Sequence, residues 1–371
     1  MAGCPSAGRS TAIRPTGMLQ QLPQGAHSVP RARARPTPPG GRLPESRISE
    51  AATDYLAGIY PESIMELINL SSEPEAKLYS WLPHDLRAET VIFFPDACPG
   101  RSPLPTGTVV FTRQADWRRF AVSDCGCGML LARSSVRACD FDRKAWGGLH
   151  ADLKANKGQL GDLGSGNHFL DALEPYDEDV VYFLVHTGSR DESRTVEALV
   201  DDPRRFDSAF ESVLAWAREN RLAVAELIER RFGSLEIVLD RNHNHYEVTE
   251  EGVIIRKGAV KLLPGEVTVV PSNLDGDVVL LRATEGVRRV MSSMCHGTGR
   301  FMSRGAAKDI AAGYDFSGLR ERVYIPDSIS DASIQTEAPF CYRDLDACLR
   351  LLDGLAVEER RFAPFAYLGQ I

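Results

Sequence analysis

The sequence lacks the features of a membrane-spanning or repetitive protein. No stretch of the 371 residues approaches the roughly 18 consecutive apolar residues of a transmembrane helix. No internal period indicates a solenoid or a coiled coil, and no basic start followed by an apolar segment resembles a secretory signal. We therefore expect a cytoplasmic protein without a membrane partner.

Cysteine is scarce, and positive charge is outnumbered by negative charge. The eight cysteines stand in a long chain with no secretory pattern, so we expect reduced thiols that are either buried or bound to a metal. The formal net charge of -8 argues against a broad basic surface for non-specific nucleic-acid binding. A local basic groove stays compatible with this charge.

Residues 1–45 differ in composition from the rest. They hold eight of the 22 prolines and six arginines, but no lysine and one acidic residue, Glu45. Such a segment cannot bury enough apolar surface to offset the entropy lost on ordering. We expect a disordered, dispensable tail at 1–45 and one domain at 46–371. A targeting segment, or a later start such as Met18, is the alternative for the tail.

The remaining chain mixes helix and strand patterns without strict alternation. Short helices are predicted at 48–56 and 61–70, a long helix or helix pair at 202–231, and a further helix at 343–352. Strand patterns occupy residues 90–94, 106–112, 180–186, 235–240, 252–256, 266–270 and 278–282. This arrangement predicts an α+β fold in one domain rather than a doubly wound sheet.

The first segment that can carry chemistry is 123–129. It holds Asp124, Cys125 and Cys127 within four residues, beside two glycines. Thiolate and carboxylate groups at this spacing can chelate a divalent ion, and thiolates favour Zn, Fe or Mn over Ca or Mg. A tight turn with two buried cysteines is the alternative.

Histidines concentrate in one part of the chain, with five of the eight between residues 168 and 296. His168 follows a glycine-rich loop, 161–167, whose free N–H groups can bind an anion. His186 ends a strand pattern, and His243 and His245 share one face of an extended segment. The alternative for His168 is a surface histidine, and the alternative for His186 is a strand-end histidine bonded to a carbonyl. For the pair His243 and His245, the alternative is that one of the two has a structural role.

The last segment, 295–300, places His296 before Gly-x-Gly-Arg. A neutral histidine beside a bound phosphate can act as base or nucleophile. Arginine suits a phosphate partner, and Arg300 and Arg304 are both near. A turn with a solvated arginine is the alternative. Considered together, the segments fit a two-metal centre with the ligands Asp124, Cys127, His168, His186 and His243.

These segments, in this order, resemble the RtcB family of RNA-splicing ligases over about residues 90–310. Seven segments carry the resemblance, namely 94–100, 124–128, 163–170, 186–190, 243–244, 256–259 and 295–300. The resemblance implies a single mixed α/β domain with a dinuclear metal site in a central cleft. It also implies an enzyme that joins RNA 3′-phosphate or 2′,3′-cyclic phosphate ends to 5′-hydroxyl ends in RNA repair or tRNA splicing, using GTP and two Mn²⁺ ions.

Residue roles follow from the same resemblance. His296 is implied to attack the α-phosphorus of GTP and carry GMP, with Asp96 as a second catalytic residue and Cys127 shared between the metal ions. The other implied metal ligands are Asp124, His168, His186 and His243. The residues implied to bind the nucleotide are Asn167, His168, Asp171, His243, Asn244, Pro271, Ser272, Asn273, Leu274, His296, Gly297, Thr298, Gly299 and Arg300.

The sequence departs from the family pattern mainly around guanine recognition. Cys98 stands where the family usually has histidine, Asp171 replaces a glutamate, and the loop 271–274 replaces Pro-Gly-Ser-Met. The terminal Lys-Gly is absent from 368–371. The compact body looks like paralogues found with release factor H, which implies a functional link. A metal-dependent phosphodiesterase or cyclic-phosphate hydrolase without GTP dependence, and an RNA sensor without turnover, are the alternatives.

Overall fold

The structure is a computed structural model that describes residues 64–100, 103–121, 123–164 and 166–369, with Arg190 by its backbone alone. These residues belong to one compact unit, Ser49–Ile371. The predicted tail at 1–45 and the predicted helix at 48–56 lie outside the described residues, so both stay predictions. No helix in the described ranges is long and apolar enough to cross a membrane.

Strands form three sheets. In chain order, β1 to β14 are Ile64–Asn69, Ala88–Cys98, Thr106–Thr112, Gly128–Ser134, Phe169–Pro175, Tyr182–Thr187, Leu235–Asn242, Asn244–Val248, Val253–Lys257, Ala259–Lys261, Val267–Pro271, Val278–Ala283, Ser293–Cys295 and Ala356–Gly369. A seven-stranded sheet has the order β11-β12-β14-β5-β6-β4-β7, with all neighbours antiparallel. A five-stranded sheet has the order β1-β2-β3-β9-β8, in which β1 and β2 run parallel. The third sheet is the pair β10-β13.

Helices lie between and beside the strands. In chain order, α1 to α8 are Glu75–Tyr79, Arg143–Ala155, Ser193–Glu197, Pro203–Phe232, Arg304–Ala311, Ser317–Arg322, Asp331–Ile334 and Leu345–Leu351. The long helix α4 begins where the Asp202 carboxylate accepts a hydrogen bond from the Arg205 amide, with Pro203 in the first turn. It ends at Gly233, whose φ of 83° breaks the helical path.

Helix α4 links the two larger sheets through their apolar faces. In the C-terminal half of the helix, Val224 belongs to an apolar cluster that also contains Phe183 of β6 and Trp146 of α2. In the N-terminal half, Phe206 belongs to a second apolar cluster that also contains Phe93 of β2. Burial of such large apolar side chains is the main force that holds the sheets to the helix. The helix therefore fixes loops from both sheets around one region.

Most of the predicted elements are present. Each predicted strand overlaps an observed strand, and 202–231 forms one helix rather than a pair. The predicted helix at 343–352 corresponds to α8, Leu345–Leu351. The prediction of one α+β domain is confirmed by the mixed sheets and helices.

The predicted helix at 61–70 is wrong over its described part. Residues 64–69 form the strand β1, which pairs in parallel with β2 from Ile64 opposite Ala88 to Asn69 opposite Phe93. Met, Glu and Leu are good helix formers, but intrinsic propensity is worth only roughly a few tenths of a kcal/mol per residue, and a row of backbone hydrogen bonds to a neighbouring strand outweighs it.

Candidate active site

The loop before β4 carries Asp124 and Cys127 in an unusual backbone conformation. Ser123 and Asp124 have φ values of 82° and 51°, a left-handed region that costs energy for residues with a side chain. The chain turns sharply there, which brings Asp124 next to Cys127. The ligand atoms of these two residues and of His168, from the segment before β5, all lie within 4.8 Å of one another. Strain of this kind persists where the surrounding structure enforces it, commonly at functional sites.

Three histidines surround the Cys127 thiol. His168 precedes β5, His186 lies in β6, and His243 joins β7 to β8. The Cys127 Sγ lies 3.3 Å from the Nε2 atoms of both His168 and His186. Ligand atoms of Cys127, His186 and His243 also lie within 4.8 Å of one another. Cys127 thus belongs to two ligand groups, one with His186 and His243 and one with Asp124 and His168.

Burial sets the protonation of these groups. Burial lowers the pKa of His186 and His243 well below the usual value, so both imidazoles are neutral at pH 7. Burial raises the pKa of the Cys127 thiol, so a metal ion must displace its proton. Burial alone would raise the pKa of Asp124, but the contact with His168, the charge of Lys257 and the contact with Cys127 together lower it. The carboxylate is therefore ionised and able to bind a cation.

The donor set fits a divalent transition-metal ion. It combines one thiol, one carboxylate and three imidazoles, a mixture that suits ions such as Zn, Fe or Mn. The Nδ1 atom of His243 is buried and has no hydrogen-bond partner in the described part of the chain. A buried nitrogen without a partner is unfavourable unless a ligand satisfies it, and a bound cation is one such ligand.

His296 lies at the edge of this cluster, directly after β13. Its ring centroid lies 4.5 Å from that of His243 and 6.2 Å from that of His186. Its Nδ1 lies 2.6 Å from Asp96 Oδ2 and 2.9 Å from the Gly258 carbonyl oxygen. Because a carbonyl oxygen can only accept a hydrogen bond, Nδ1 is the nitrogen that carries a proton, and in the neutral ring Nε2 has the free lone pair. His296 is thus arranged to attack an electrophile through Nε2.

Asp96 owes its position to an irregular part of β2. The register between β2 and β3 shifts between Phe93 and Cys98, and such bulges commonly redirect a side chain beside a functional site. Asp96 is fully buried. Gly299 has a φ of 69°, and a Cβ there would lie 2.6 Å from Asp96 Cα. The turn after His296 therefore needs glycine to approach Asp96 this closely.

Two further side chains hold the loops together. Asn244 Nδ2 donates to the Asp124 carbonyl over 2.9 Å, and its Oδ1 accepts from the Gly258 amide over 2.8 Å. The Asn244 side chain thus links the Asp124 loop to the residue whose carbonyl orients His296. Lys257 Nζ donates to the Ser123 carbonyl over 2.8 Å, and its charge also lowers the pKa of Asp124.

Comparisons with known proteins find similarity to RtcB ligases. A family model described as tRNA-splicing ligase RtcB matches residues 201–369. The chain is 26% identical over 283 residues to the tRNA-splicing ligase RtcB of Pyrococcus furiosus. It is 27% identical over 290 residues to that of Nanoarchaeum equitans, and 26% identical over 238 residues to the RNA-splicing ligase RtcB of Escherichia coli. These matches support a member of the RtcB family.

The matches cover part of each protein. They span 56%, 57% and 52% of this chain for the three relatives in that order. The chain covers 29% of the Pyrococcus protein, 60% of the Nanoarchaeum protein and 57% of the Escherichia protein. It therefore spans less than two thirds of the length of these RtcB relatives.

The loop 271–274, expected to bind the nucleotide, lies against the His296 turn. The Thr298 amide donates to the Pro271 carbonyl over 3.1 Å, and its hydroxyl donates to the Ser272 carbonyl over 3.3 Å. A Cβ on Gly297 would lie 3.3 Å from the Pro271 oxygen. The RtcB-like turn and this loop therefore form one packed unit.

The outer half of the same loop is occupied by its own contacts. Asn273 Oδ1 accepts from the amides of Asp275 and Gly276. The Leu274 side chain is buried in the largest apolar cluster. The Leu274 side chain is therefore not available to a ligand, whereas the half-buried Asn273 is the most accessible residue of the loop.

Asn167 and Asp171 flank His168 differently. Asn167 is exposed beside the ligand cluster, whereas Asp171 is buried in β5 opposite Tyr367. Burial raises the pKa of Asp171 well above the usual value. Its Oδ1 has no hydrogen-bond partner among the residues that the structure describes. A buried carboxyl group that lacks a hydrogen-bond partner is stabilised when another polar group forms a hydrogen bond with it.

Three residues near the site have structural roles there: His245, Asn220 and Arg221. His245, the second member of the His-x-His pair, is outside both ligand groups, and its Nε2 lies 3.4 Å from Arg256 Nη1. Asn220 and Arg221 of α4 interrupt a buried apolar stripe on the helix. Asn220 bonds to Gly161 and Asp162, and Arg221 Nη1 bonds to the Gly126 carbonyl. A polar pair on a buried helix face was the available signal.

Proposed function

We propose that this RtcB-family chain is an RNA ligase that joins 3′-phosphate or 2′,3′-cyclic phosphate ends to 5′-hydroxyl ends through a histidine–GMP intermediate, using GTP and Mn²⁺. The observation that carries the proposal is the pair of hydrogen bonds from His296 Nδ1 to Asp96 and Gly258, beside two ligand groups that share Cys127. The relatives named as RNA-splicing and tRNA-splicing ligases support the same reaction class.

His296 acts as the nucleophile in this proposal. Its Nε2 lone pair attacks the α-phosphorus of GTP, a P–N bond forms, and pyrophosphate leaves with the electron pair of the broken P–O bond. The buried Asp96 carboxylate stabilises the positive charge that develops on the ring. A 2′,3′-cyclic phosphate is first opened by water to a 3′-phosphate. An oxygen of the RNA 3′-phosphate then attacks the phosphorus of the bound GMP, and the P–N bond breaks to free His296. Finally the 5′-hydroxyl oxygen attacks the 3′-phosphate phosphorus, the P–O bond to GMP breaks, and GMP leaves while the hydroxyl proton is released.

The ligand groups would hold the ions. Cys127, His186 and His243 would hold one ion, and Asp124, Cys127 and His168 the other. Bound ions withdraw charge from phosphate oxygens and hold phosphate groups in place. Their identity as Mn²⁺ rests on the family resemblance. A cytoplasmic setting, a role in RNA repair and a functional link to release factor H also rest on that resemblance.

Covalent labelling tests the proposal. The protein is incubated with Mn²⁺ and α-labelled GTP and separated on a denaturing gel. We expect a label that is acid-labile and alkali-stable, lost in His296→Ala while the metal content stays near that of the wild type. His84→Ala is the matched control because His84 is an exposed histidine on the loop before β2, and it should label normally.

Two results would contradict the proposal. Label retained in His296→Ala would exclude this histidine as the nucleophile. No label in the wild type, combined with hydrolysis of a 2′,3′-cyclic phosphate in the absence of GTP, would favour a phosphodiesterase instead.

A further inference from the structure

A buried carboxylate, Glu337, holds two arginines that follow the nucleophile in sequence. Its Oε1 accepts from Arg304 Nε over 3.2 Å, and its Oε2 lies 3.4 Å from Arg300 Nη1. Thr336 Oγ1 and the Tyr342 hydroxyl also donate to it. Glu337 is 4% exposed. Each of the two Glu337 oxygens therefore has two polar partners, although the side chain is enclosed.

The Arg300 guanidinium is fixed on most of its edges. Nε donates to the Met302 carbonyl, and Nη1 donates to the Thr336 carbonyl as well as to Glu337. The group also lies over the Tyr342 ring, 5.1 Å from its centroid. Its Nη2 is buried and has no hydrogen-bond partner among the residues that the structure describes. One edge of a rigidly held cation is thus left for another partner.

The charges of this cluster do not cancel. Two guanidinium groups share the single Glu337 carboxylate, which leaves one excess positive charge. Arg304 is about half exposed, with 47% of its side chain accessible, so water can solvate its charge. Arg300 is mostly enclosed and keeps an unsatisfied N–H group, which a bound anion would satisfy. Guanidinium edges match the oxygens of a phosphate group.

The cluster of Arg300, Arg304 and Glu337 is joined to the turn that follows His296. Gly299, the residue before Arg300, lies against Asp96, which orients His296. The Arg300 carbonyl accepts from Arg343 Nη1 over 2.8 Å. Arg300 is therefore held in place by its backbone as well as by its side chain, a few residues from the nucleophile.

We propose that Glu337 is a positioning residue, which orients Arg300 and Arg304 so that Arg300 Nη2 binds a phosphate group of a substrate beside His296. This inference rests on the proposed function and deepens it. Glu337 itself does not touch the substrate. The phosphate belongs either to GTP or to the RNA 3′ end, and the two half-reactions distinguish these sources.

The test compares Glu337→Gln with the wild type in both half-reactions. Guanylylation is measured against GTP concentration, and transfer to a 3′-phosphate RNA is measured against RNA concentration. We expect KM to rise about tenfold for the substrate whose phosphate Arg300 binds, with kcat nearly unchanged, because a misaligned guanidinium loses a charge-assisted bond. Glu337→Asp keeps the charge and should recover part of the affinity.

Glu178→Gln is the matched control. Glu178 likewise pairs with two arginines, Arg133 and Arg360, beside the start of β6, whereas His186 lies near the other end of that strand. The Glu178→Gln change should alter neither the KM for GTP nor the KM for the 3′-phosphate RNA. An equal loss in both half-reactions together with lower thermal stability, without recovery in Glu337→Asp, would mean that Glu337 has a structural role only.

Binding of inorganic pyrophosphate separates this inference from the proposed function, because it needs no turnover. Calorimetry with the metal-loaded protein should show weaker binding to Glu337→Gln than to the wild type if Arg300 serves the GTP phosphates. If the wild type does not label with GTP, the proposed function fails. Equal pyrophosphate affinity together with unchanged KM values for both substrates would overturn the role of Glu337.

Discussion

At the scale of single residues, the site depends on how one histidine is held. His296 shares its Nδ1 proton between a buried carboxylate and a backbone carbonyl, Asp96 and Gly258. The carbonyl alone suffices to define the tautomer, whereas the carboxylate adds a negative charge next to the ring. The two acceptors therefore make separable contributions, one geometric and one electrostatic.

Replacing Asp96 with Asn separates these contributions. The Gly258 carbonyl still accepts from Nδ1, so the tautomer is kept and the loss is that of the charge. We expect the guanylylation rate to fall by about ten- to a hundredfold, measured by label formation under single-turnover conditions. Metal content should not change. Asp179→Asn, at an exposed carboxylate paired with Arg137, is the control, and an unchanged rate in Asp96→Asn would contradict this view.

At the scale of secondary-structure elements, helix α4 supports the loops of the site. Asn220 Oδ1 accepts from the Gly161 amide over 2.8 Å, and its Nδ2 donates to the carbonyls of Asp162 and Gly188. Those loops lead to His168 and follow His186. A single side chain on the helix thus connects two loops that carry ligand-forming histidines.

Asn220→Ala tests this connection. The change leaves a buried amide and buried carbonyls without partners, which costs about 1–3 kcal/mol in the free energy of unfolding. Urea unfolding measures the loss, and metal titration should show weaker binding because the loops are less well held. Glu219→Ala, one residue away on the exposed face, should shift stability by no more than about 0.5 kcal/mol. Equal effects of the two changes would exclude a special role for Asn220.

At the scale of the whole molecule, the ligand cluster joins parts of the chain that are far apart in sequence. Cys127 and His243 lie in the same group although more than a hundred residues separate them. An ion that binds the folded chain and not the unfolded one stabilises the fold by mass action. We therefore expect metal binding to the ligand cluster to stabilise the domain.

Metal removal should lower the melting temperature. Mn²⁺ at a hundred times its Kd adds about 2.7 kcal/mol to the free energy of unfolding, so chelation with EDTA should lower Tm and added Mn²⁺ should restore it. Differential scanning calorimetry measures both shifts. Cys127→Ala should abolish the response, because both ligand groups lose a member. Cys139→Ala, at an exposed free cysteine, should keep it, and a Tm insensitive to EDTA and Mn²⁺ in the wild type would contradict the coupling.

Residue types and their order in the chain were readable from the sequence. Asp124, Cys127 and the histidines stand in glycine-rich segments, and the structure brings five of them together as two ligand groups. Strand patterns such as 106–112 were readable because alternation along a strand is a local property. The resemblance to the RtcB family followed from the same segments.

Only the tertiary structure decided which residues meet. It separates His243 from His245, makes a strand of 64–69, and places Glu337 beside Arg300, 37 residues away. Local periodicity carries no information about such partners, because they depend on sheet pairing and packing between distant segments. The sequence by itself therefore determined the chemistry that is available, and the fold decided which side chains act on one another.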